Sequence, residues 1–584
     1  MLKPYILPIL FIILSFQISP IFSSVSINLS SSMEATTQST YEIKKNIVTL
    51  TSDEEYIITG SCSECGIKVE KSKSQTITLN SITIDNSSTG PFVIKSGAIV
   101  NLILKGTSII TDKAEDADEQ AGIKFKSSSS LTISGDGTLI VYGYSKNGIK
   151  GGSGSNLVIN SGTFNVTCVN NGIAADGAVT INGGTFNIQT TEGDGIKSDP
   201  DYNDASSEGR VTITGGTFNI NSYNDGIQAK DRLIISGGTF NIKTFKDGSS
   251  ATNFNKDLYS AKGIKVSTNE TSDISMIISG GTFYLNTADD ALHSDGNITI
   301  TKGEFYVSTL DDGVHADQYL ILGKYGEDNS NIKLSITKSK EGLEGSQIYI
   351  YSGTYSIIAS DDGINSAGDT TSECSSTGPG GQGGPGERPR GNMIRNLRSR
   401  YFRKLQMPQS QCSIFHIYIY GGDIYVNAEA DGLDANGNIN IYGGNLEIWG
   451  AKRNSDGDFA DLDGTMTITG GTFFGGGNAQ MVQPTRWTNS QKYIYESNQV
   501  AQNYVVKVMS GSTTIKSYTC PKNVGYLYYT SPSVDSNYKF SISNSGSNSG
   551  TTQDGDSNNS NLTNSSLKVL KFNLLGLIFM LMVL

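Results

Sequence analysis

The chain has 584 residues, 67 of them glycine, and its 44 lysines and arginines against 56 aspartates and glutamates leave a net charge of −12. That balance excludes a nucleic-acid partner, which needs a basic surface. It also excludes an acidic polymer as an unassisted partner, unless cations intervene.

In chain order, Lys3 and a mostly apolar run through Leu14, followed by Ser23 and Ser24, have the form of a secretory signal peptide over residues 1–24. In a secreted chain the six cysteines allow three disulfides, in up to about 15 connectivities. Cys62 and Cys65 stand in a C-x-x-C that lacks the second pair of a zinc site. Cys374 and Cys412, which flank an insertion, are the preferred bridge. Sequons, including those at Asn86, Asn165, Asn269, Asn297 and Asn561, predict a glycosylated exterior.

From about residue 42 to 475 an internal repeat dominates. One half reads G-G-T-F-x-I, as at Gly183–Ile188, Gly215–Ile220 and Gly237–Ile242; the other reads [D/N]-G-[I/V/L], as at Asp194, Asp225, Asp312, Asp362 and Asp431. A short alternating strand lies between them. Three period-2 segments per unit, with no helical period, predict an all-β, right-handed parallel β-helix of three sheets and roughly a dozen coils. Phe186, Phe218, Phe240, Phe283 and Phe305 then point inward as a packed ladder. In the I-Y-I-Y strands the isoleucines point in, leaving Tyr349, Tyr351, Tyr418, Tyr420 and Tyr442 outward as candidate carbohydrate contacts, flat on the ring and polar at the tip. Tyr284 and Tyr306 form a shorter outward pair.

The stretch Asp289–Gln318 states D-D-x-x-H-x-D twice, 22 residues apart. Alignment of the coils on the [D/N]-G turn places Asp194, Asp225, Asp290, Asp312, Asp362, Asp431 and Asp456 in one column. Five residues later, Asp176, Asp199, Asp295, Asp317 and Asp461 form a second, and Asp289 and Asp311 precede the first. Carboxylates one coil apart, at about 5 Å, repel by roughly 3 kcal/mol at an effective dielectric of 20. Such columns need a cation, protonation or hydrogen bonds to turn amides. Calcium suits the oxygen-only donors, so Asp194, Asp199, Asp289, Asp290, Asp295, Asp311, Asp312, Asp317, Asp362, Asp431 and Asp461 are the candidate ligands of Ca²⁺. His293 and His315 occupy the slot where other coils carry Lys150, Lys197 and Lys265. They are read as surface groups that hydrogen-bond aspartate or a sugar; zinc or copper is the alternative.

Residues 368–413 interrupt the repeat with a Gly/Pro-rich and then basic loop. Residues 476–542 are expected to cap the solenoid, 543–566 to form a Gly/Ser/Asn-rich stalk and 567–584 to act as a GPI-attachment signal. The protein is therefore expected outside the cell, as a monomer, touching membrane only through a lipid anchor.

The G-G-T-F-x-I and D-[GA]-[VL]-H-[AS]-D units, the Gly/Pro insertion and the segment NAQMVQP after the last coil resemble secreted carbohydrate-binding proteins with a pectate-lyase-like parallel β-helix. The resemblance implies calcium along the helix and affinity for cellulose or acidic polysaccharides such as polygalacturonate, without established cleavage. Carried over by position, Asp290, His293, Asp295, Asp312, His315 and Asp317 match its most recognisable motif. Two other classes stay open: a polysaccharide lyase or hydrolase, with Lys197, Lys230 or Lys265 near enough to act as base, and a surface coat protein or adhesin stiffened by calcium.

Overall fold

The computed structural model describes residues 24–113, 120–200, 209–267, 274–327, 331–367, 415–478 and 487–544. The expected signal peptide (all but Ser24), the Cys374–Cys412 bridge, the whole insertion, the stalk beyond Asn544 and the anchor signal lie outside those residues. Residues 1–542 form one compact unit and 543–584 another.

One coil shows how the repeat folds. Arg210–Ile213, Thr217–Ser222 and Ile227–Ala229 are three short strands that bury alternate residues, so none can shield its own apolar edge. Each pairs in parallel with its counterpart in the next coil: Arg210–Ile213 with Arg232–Ile235, Thr217–Ser222 with Thr239–Thr244, and Ile227–Ala229 with Ile264–Val266. Continued along the chain, this register builds three parallel faces, here called first, second and third in the order a coil visits them. The fold is a parallel β-helix. Glycine makes the corner from the first to the second face: Gly216 has φ +116°, a conformation that L side chains rarely adopt.

The core is the interior of that solenoid. Phe164, Phe186, Phe218, Phe240, Phe283 and Phe305 occupy one register position, fully buried, with adjacent ring centroids 4.6–5.0 Å apart and planes within 5°. The expected five-ring ladder is present, and Phe164 extends it by one. Outside the same strands, the side-chain amides of Asn187, Asn219 and Asn241 each donate to the preceding Asn Oδ1 at 2.8–3.0 Å.

The parallel pairing reaches past both expected ends. Val25–Leu29 pairs in parallel with Glu55–Ser63, and Trp487–Asn489 with Met466–Ile468. The C-terminal region is β-rich and antiparallel. Tyr526–Thr530 lies along Thr472–Gly477, and a separate three-stranded sheet holds Tyr504–Ser510 at its centre. Cys62 and Cys65 form a disulfide, while Cys168 and Cys520 are buried free thiols. The sequon at Asn86 is a correction: that side chain is fully buried and its amide donates to Cys65 O at 2.5 Å, leaving no access for a glycan.

Candidate functional site

The third face carries the aspartates. The residue at the corner leading into its strand forms a vertical column, fixed by backbone bonds between successive coils: Asn147, Asn171, Asp194, Asp225, Lys262, Asp290, Asp312, Glu341, Asp362, Asp431 and Asp458. Asp456, expected in this column, is not in it. The D-G pair at 456–457 makes an earlier turn, and Asp458, followed by Phe459, takes the place. Lys262 and Glu341 also belong to the column, although neither has the motif.

Much of the column is turn chemistry. Its oxygens accept the backbone N–H of the same position one coil on: Asn171 Oδ1 from Asp194 (3.0 Å), Asp194 from Asp225 (3.0 Å), Asp290 from Asp312 (3.0 Å), Asp362 from Asp431 (2.8 Å) and Asp431 from Asp458 (2.5 Å). Each carboxylate thus satisfies an amide that the corner would otherwise leave unpaired.

Three residues further on lies an outward row on the strand itself: Lys124, Lys150, Ala174, Lys197, Gln228, Lys265, His293, His315, Glu344, Asn365, Asp434 and Asp461. The expected shared slot of lysines and histidines is this row. Asp461 is corrected to it, away from the second aspartate column, and Asp434, not among the expected ligands, lies beside it. The row changes sign along the helix, basic up to His315 and acidic from Glu344.

In the basic part, every aspartate meets a cation. Lys197 Nζ lies 3.1 Å from Asp194 and 3.3 Å from Asp199. Lys265 lies 3.5 Å from Asp225. Lys262 bridges Asp289 (2.7 Å) and Asp290 (2.8 Å), and Lys256 reaches Asp311 (2.7 Å). His293 sits between Asp290 (2.8 Å) and Asp295 (3.0 Å); His315 sits between Asp312 (3.1 Å), Asp317 (3.3 Å) and Glu344 (3.1 Å). Burial opposes charge on His315, but hydrogen bonds to Asp312 and Asp317 outweigh it and push its pKa up to about 11. His293 is raised in the same way, against burial, by Asp290 and Asp295. Burial also disfavours ionised Asp290, yet Lys262 and His293 hold its carboxyl well below the usual range. The two histidines thus stand between aspartates, with their ring centroids 5.0 Å apart.

Three groups have ligand atoms close enough to hold a metal ion: Asp290–His293–His315, Asp312–His315–Glu344 and Asp289–Asp290–Asp311. Two of them include imidazole nitrogens, and in the third the carboxylates pair with Lys256 and Lys262.

In the acidic part the balance fails. Burial, then neighbouring carboxylates, pushes Asp431 and Asp458 up to about 8 and Asp434 to about 7. Burial raises Asp362 to about 6. Among the described residues, no lysine, arginine or histidine forms an ion pair with Asp431, Asp434 or Asp458.

A second site lies at the corner between the first and second faces. The expected tyrosines stack coil on coil: Tyr349 on Tyr418 (4.9 Å, 15°), Tyr351 on Tyr420 (4.9 Å, 22°) and Tyr420 on Tyr442 (4.9 Å, 22°). Tyr420 and Tyr442 are exposed; the other three are half-buried. Stacking changes what the row offers. Rings that cover one another present edges and hydroxyls, and a free face only where the row ends. Tyr325 supplies another face, which sequence reasoning missed because it sits in a turn. It is 78% exposed and meets Tyr351 and Tyr420 almost perpendicularly, at 82° and 87°.

Beside this row runs an open groove of about 490 Å³, lined by Tyr351, Tyr420, Asn331, Thr354, Asp423 and Asn445. Its floor is corner glycine. At Gly353, with φ +123°, an added Cβ would stand 2.6 Å from Tyr355 Oη, so the floor is bare backbone. One carboxylate, three other polar side chains and two phenols around a glycine floor form a polar-and-aromatic cleft with no lysine, arginine or histidine among its lining residues.

Comparison with known proteins agrees with the resemblance. A family described as carbohydrate-binding domain-containing protein matches residues 44–313, which takes in the basic part of the third face short of His315 but neither the groove nor the acidic part. A solved structure, the polysaccharide lyase-like protein from C. thermocellum in its gadolinium derivative, is similar at 19% identity. It covers 54% of this chain and 90% of that one with a TM-score of 0.27, too low to bear on function. No curated protein matches.

Proposed function

We propose that the protein binds polysaccharide in the groove beside the tyrosine row, as part of a secreted, surface-displayed chain. The observation that carries this is the groove itself. Phenolic edges and hydroxyls and amide groups meet over bare backbone beside the exposed ring of Tyr325, and aromatic surface with polar tips matches a pyranose, apolar on its face and hydroxylated at its rim. With Asp423 as the single charged group lining it, the groove favours an uncharged chain of the cellulose kind over polygalacturonate. Affinity electrophoresis of the full chain in soluble β-glucan tests this: Tyr420→Ala and Tyr351→Ala should each abolish retardation, and undiminished retardation in both rejects the groove.

A second reading is favoured by the carboxylate-rich third face: calcium-dependent capture of an acidic polysaccharide. There a bound Ca²⁺ would bridge protein and sugar carboxylates and cancel the repulsion of a chain with net charge −12. Retention on polygalacturonate that appears with calcium and vanishes with chelator supports it; indifference to calcium does not.

A further inference from the structure

Along the row of the third face, one place is filled in two ways. Lys197 stands between Asp194 and Asp199 as an ammonium, bridging the two aspartate columns. At the same place in later coils, His293 stands between Asp290 and Asp295, and His315 between Asp312 and Asp317. A lysine serves for charge alone. Histidine adds a ring nitrogen that can give up its proton and ligate a metal. The chain has three histidines, and two of them stand here in register on adjacent strands.

The two rings are oriented alike. Each turns Nδ1 to the column aspartate of its own coil, His293 to Asp290 at 2.8 Å and His315 to Asp312 at 3.1 Å. Each turns Nε2 to the second column, to Asp295 at 3.0 Å and Asp317 at 3.3 Å. Metal-binding histidines are held in this way, the far ring nitrogen donating to a carboxylate that fixes the ring and raises its basicity. Glu344 of the next coil brings a further oxygen to His315 Nδ1, at 3.1 Å. The groups Asp290–His293–His315 and Asp312–His315–Glu344 share His315, and within each the ligand atoms lie within 4.8 Å of one another. Lys262 also bonds Asp290, but it has Asp289 at 2.7 Å as a second partner. The side chains of His315 and Glu344 are 24% and 18% exposed, so an ion can enter from solvent.

We infer that His293 and His315, with carboxylate oxygens of Asp290, Asp312 and Glu344, form a site for a transition-metal dication of the zinc class. Mixed imidazole and carboxylate donors suit zinc, whereas calcium takes oxygen donors. Zinc ligates the neutral ring, so its uptake releases the ring proton to solvent, and the dication then faces the carboxylates that the protonated ring faced. The D-D-x-x-H-x-D repeat acquires a role for each part. Its second aspartate and its histidine ligate, and its last aspartate holds the ring.

The test titrates zinc chloride, and separately calcium chloride, into the chelator-stripped full chain by calorimetry, with the visible spectrum of added cobalt(II) as a signature of nitrogen ligation. Wild type should bind zinc at micromolar concentration or tighter, and excess calcium should not displace it. His315→Lys rebuilds the lysine arrangement of the earlier coils. It should keep the unfolding temperature of the metal-free chain and lose both the zinc heat and the cobalt spectrum. His293→Gln should lose them too, so the result does not rest on the folding of one variant. Asp317→Asn removes only the carboxylate behind the ring and should weaken zinc by about 10–100-fold. The inference is overturned if wild type binds zinc no more tightly than calcium, or if His315→Lys and His293→Gln bind zinc as wild type does. None of these outcomes depends on glycan binding, so failure here and failure of the groove are separate results.

Discussion

His315 and Tyr420 carry the two halves of the account. At Tyr420, one ring covers Tyr351 and is covered by Tyr442. Tyr420→Ala therefore removes a groove wall and unstacks both neighbours. Loss of about 1.4 kcal/mol, tenfold in affinity for a soluble β-glucan, is the minimum expected. Tyr420→Phe, which keeps the stack and loses the hydroxyl, should fall between wild type and Ala in the same assay.

The buried acids predict a pH dependence of definite sign. Asp431 and Asp458, at about 8, and Asp434, at about 7, bind protons in the folded chain that an unfolded aspartate, near 3.9, has released. Between those limits the folded state holds more protons, so in chelator stability falls as pH rises from about 4 to about 8. His315, raised to about 11, adds a loss of the same sign above pH 6.5. Melts in chelator at pH 5 and pH 8.5 should give the lower midpoint at pH 8.5; a higher one there refutes the uncompensated acids.

At the scale of elements, the strand pattern was legible because the period of two and the glycine corners are local. Alternation fixed which of Tyr349, Tyr418 and Phe240 face in or out, and the fixed spacing from the turn located His293 and His315 in the lysine row. What failed depended on loops of unequal length. Between Asp431 and Asp458 the chain makes an extra turn, so the D-G motif at Asp456 marked the wrong residue, and Asp461 was misplaced with it. Tyr325 lies in a turn outside the repeat. Lys256 comes from a non-repeating excursion and Lys262 holds a column position without the motif, so spacing did not reveal either as a partner of Asp289, Asp290 and Asp311.

The phenylalanine ladder makes a prediction at this scale. Phe240 is fully buried between Phe218 and Phe283. Phe240→Ala should cost about 3–5 kcal/mol in chemical denaturation. Its coil lies well before the groove, so β-glucan affinity should not change in the folded variant; a parallel loss of affinity would mean that coils do not act locally.

At the scale of the whole molecule, the described solenoid offers two unlike surfaces on the same coils. One is the tyrosine groove at the corner of the first and second faces; the other is the charged third face, whose row turns from basic to acidic along the axis. The account assigns recognition to the first and cohesion to the second. Binding to insoluble cellulose by the full chain, with and without chelator below the unfolding temperature, tests that division most directly. The account predicts that wild type binds in both conditions and that the double variant Tyr351→Ala/Tyr420→Ala binds in neither. Binding that disappears with chelator and survives loss of both tyrosines would place recognition on the acidic face and contradict it.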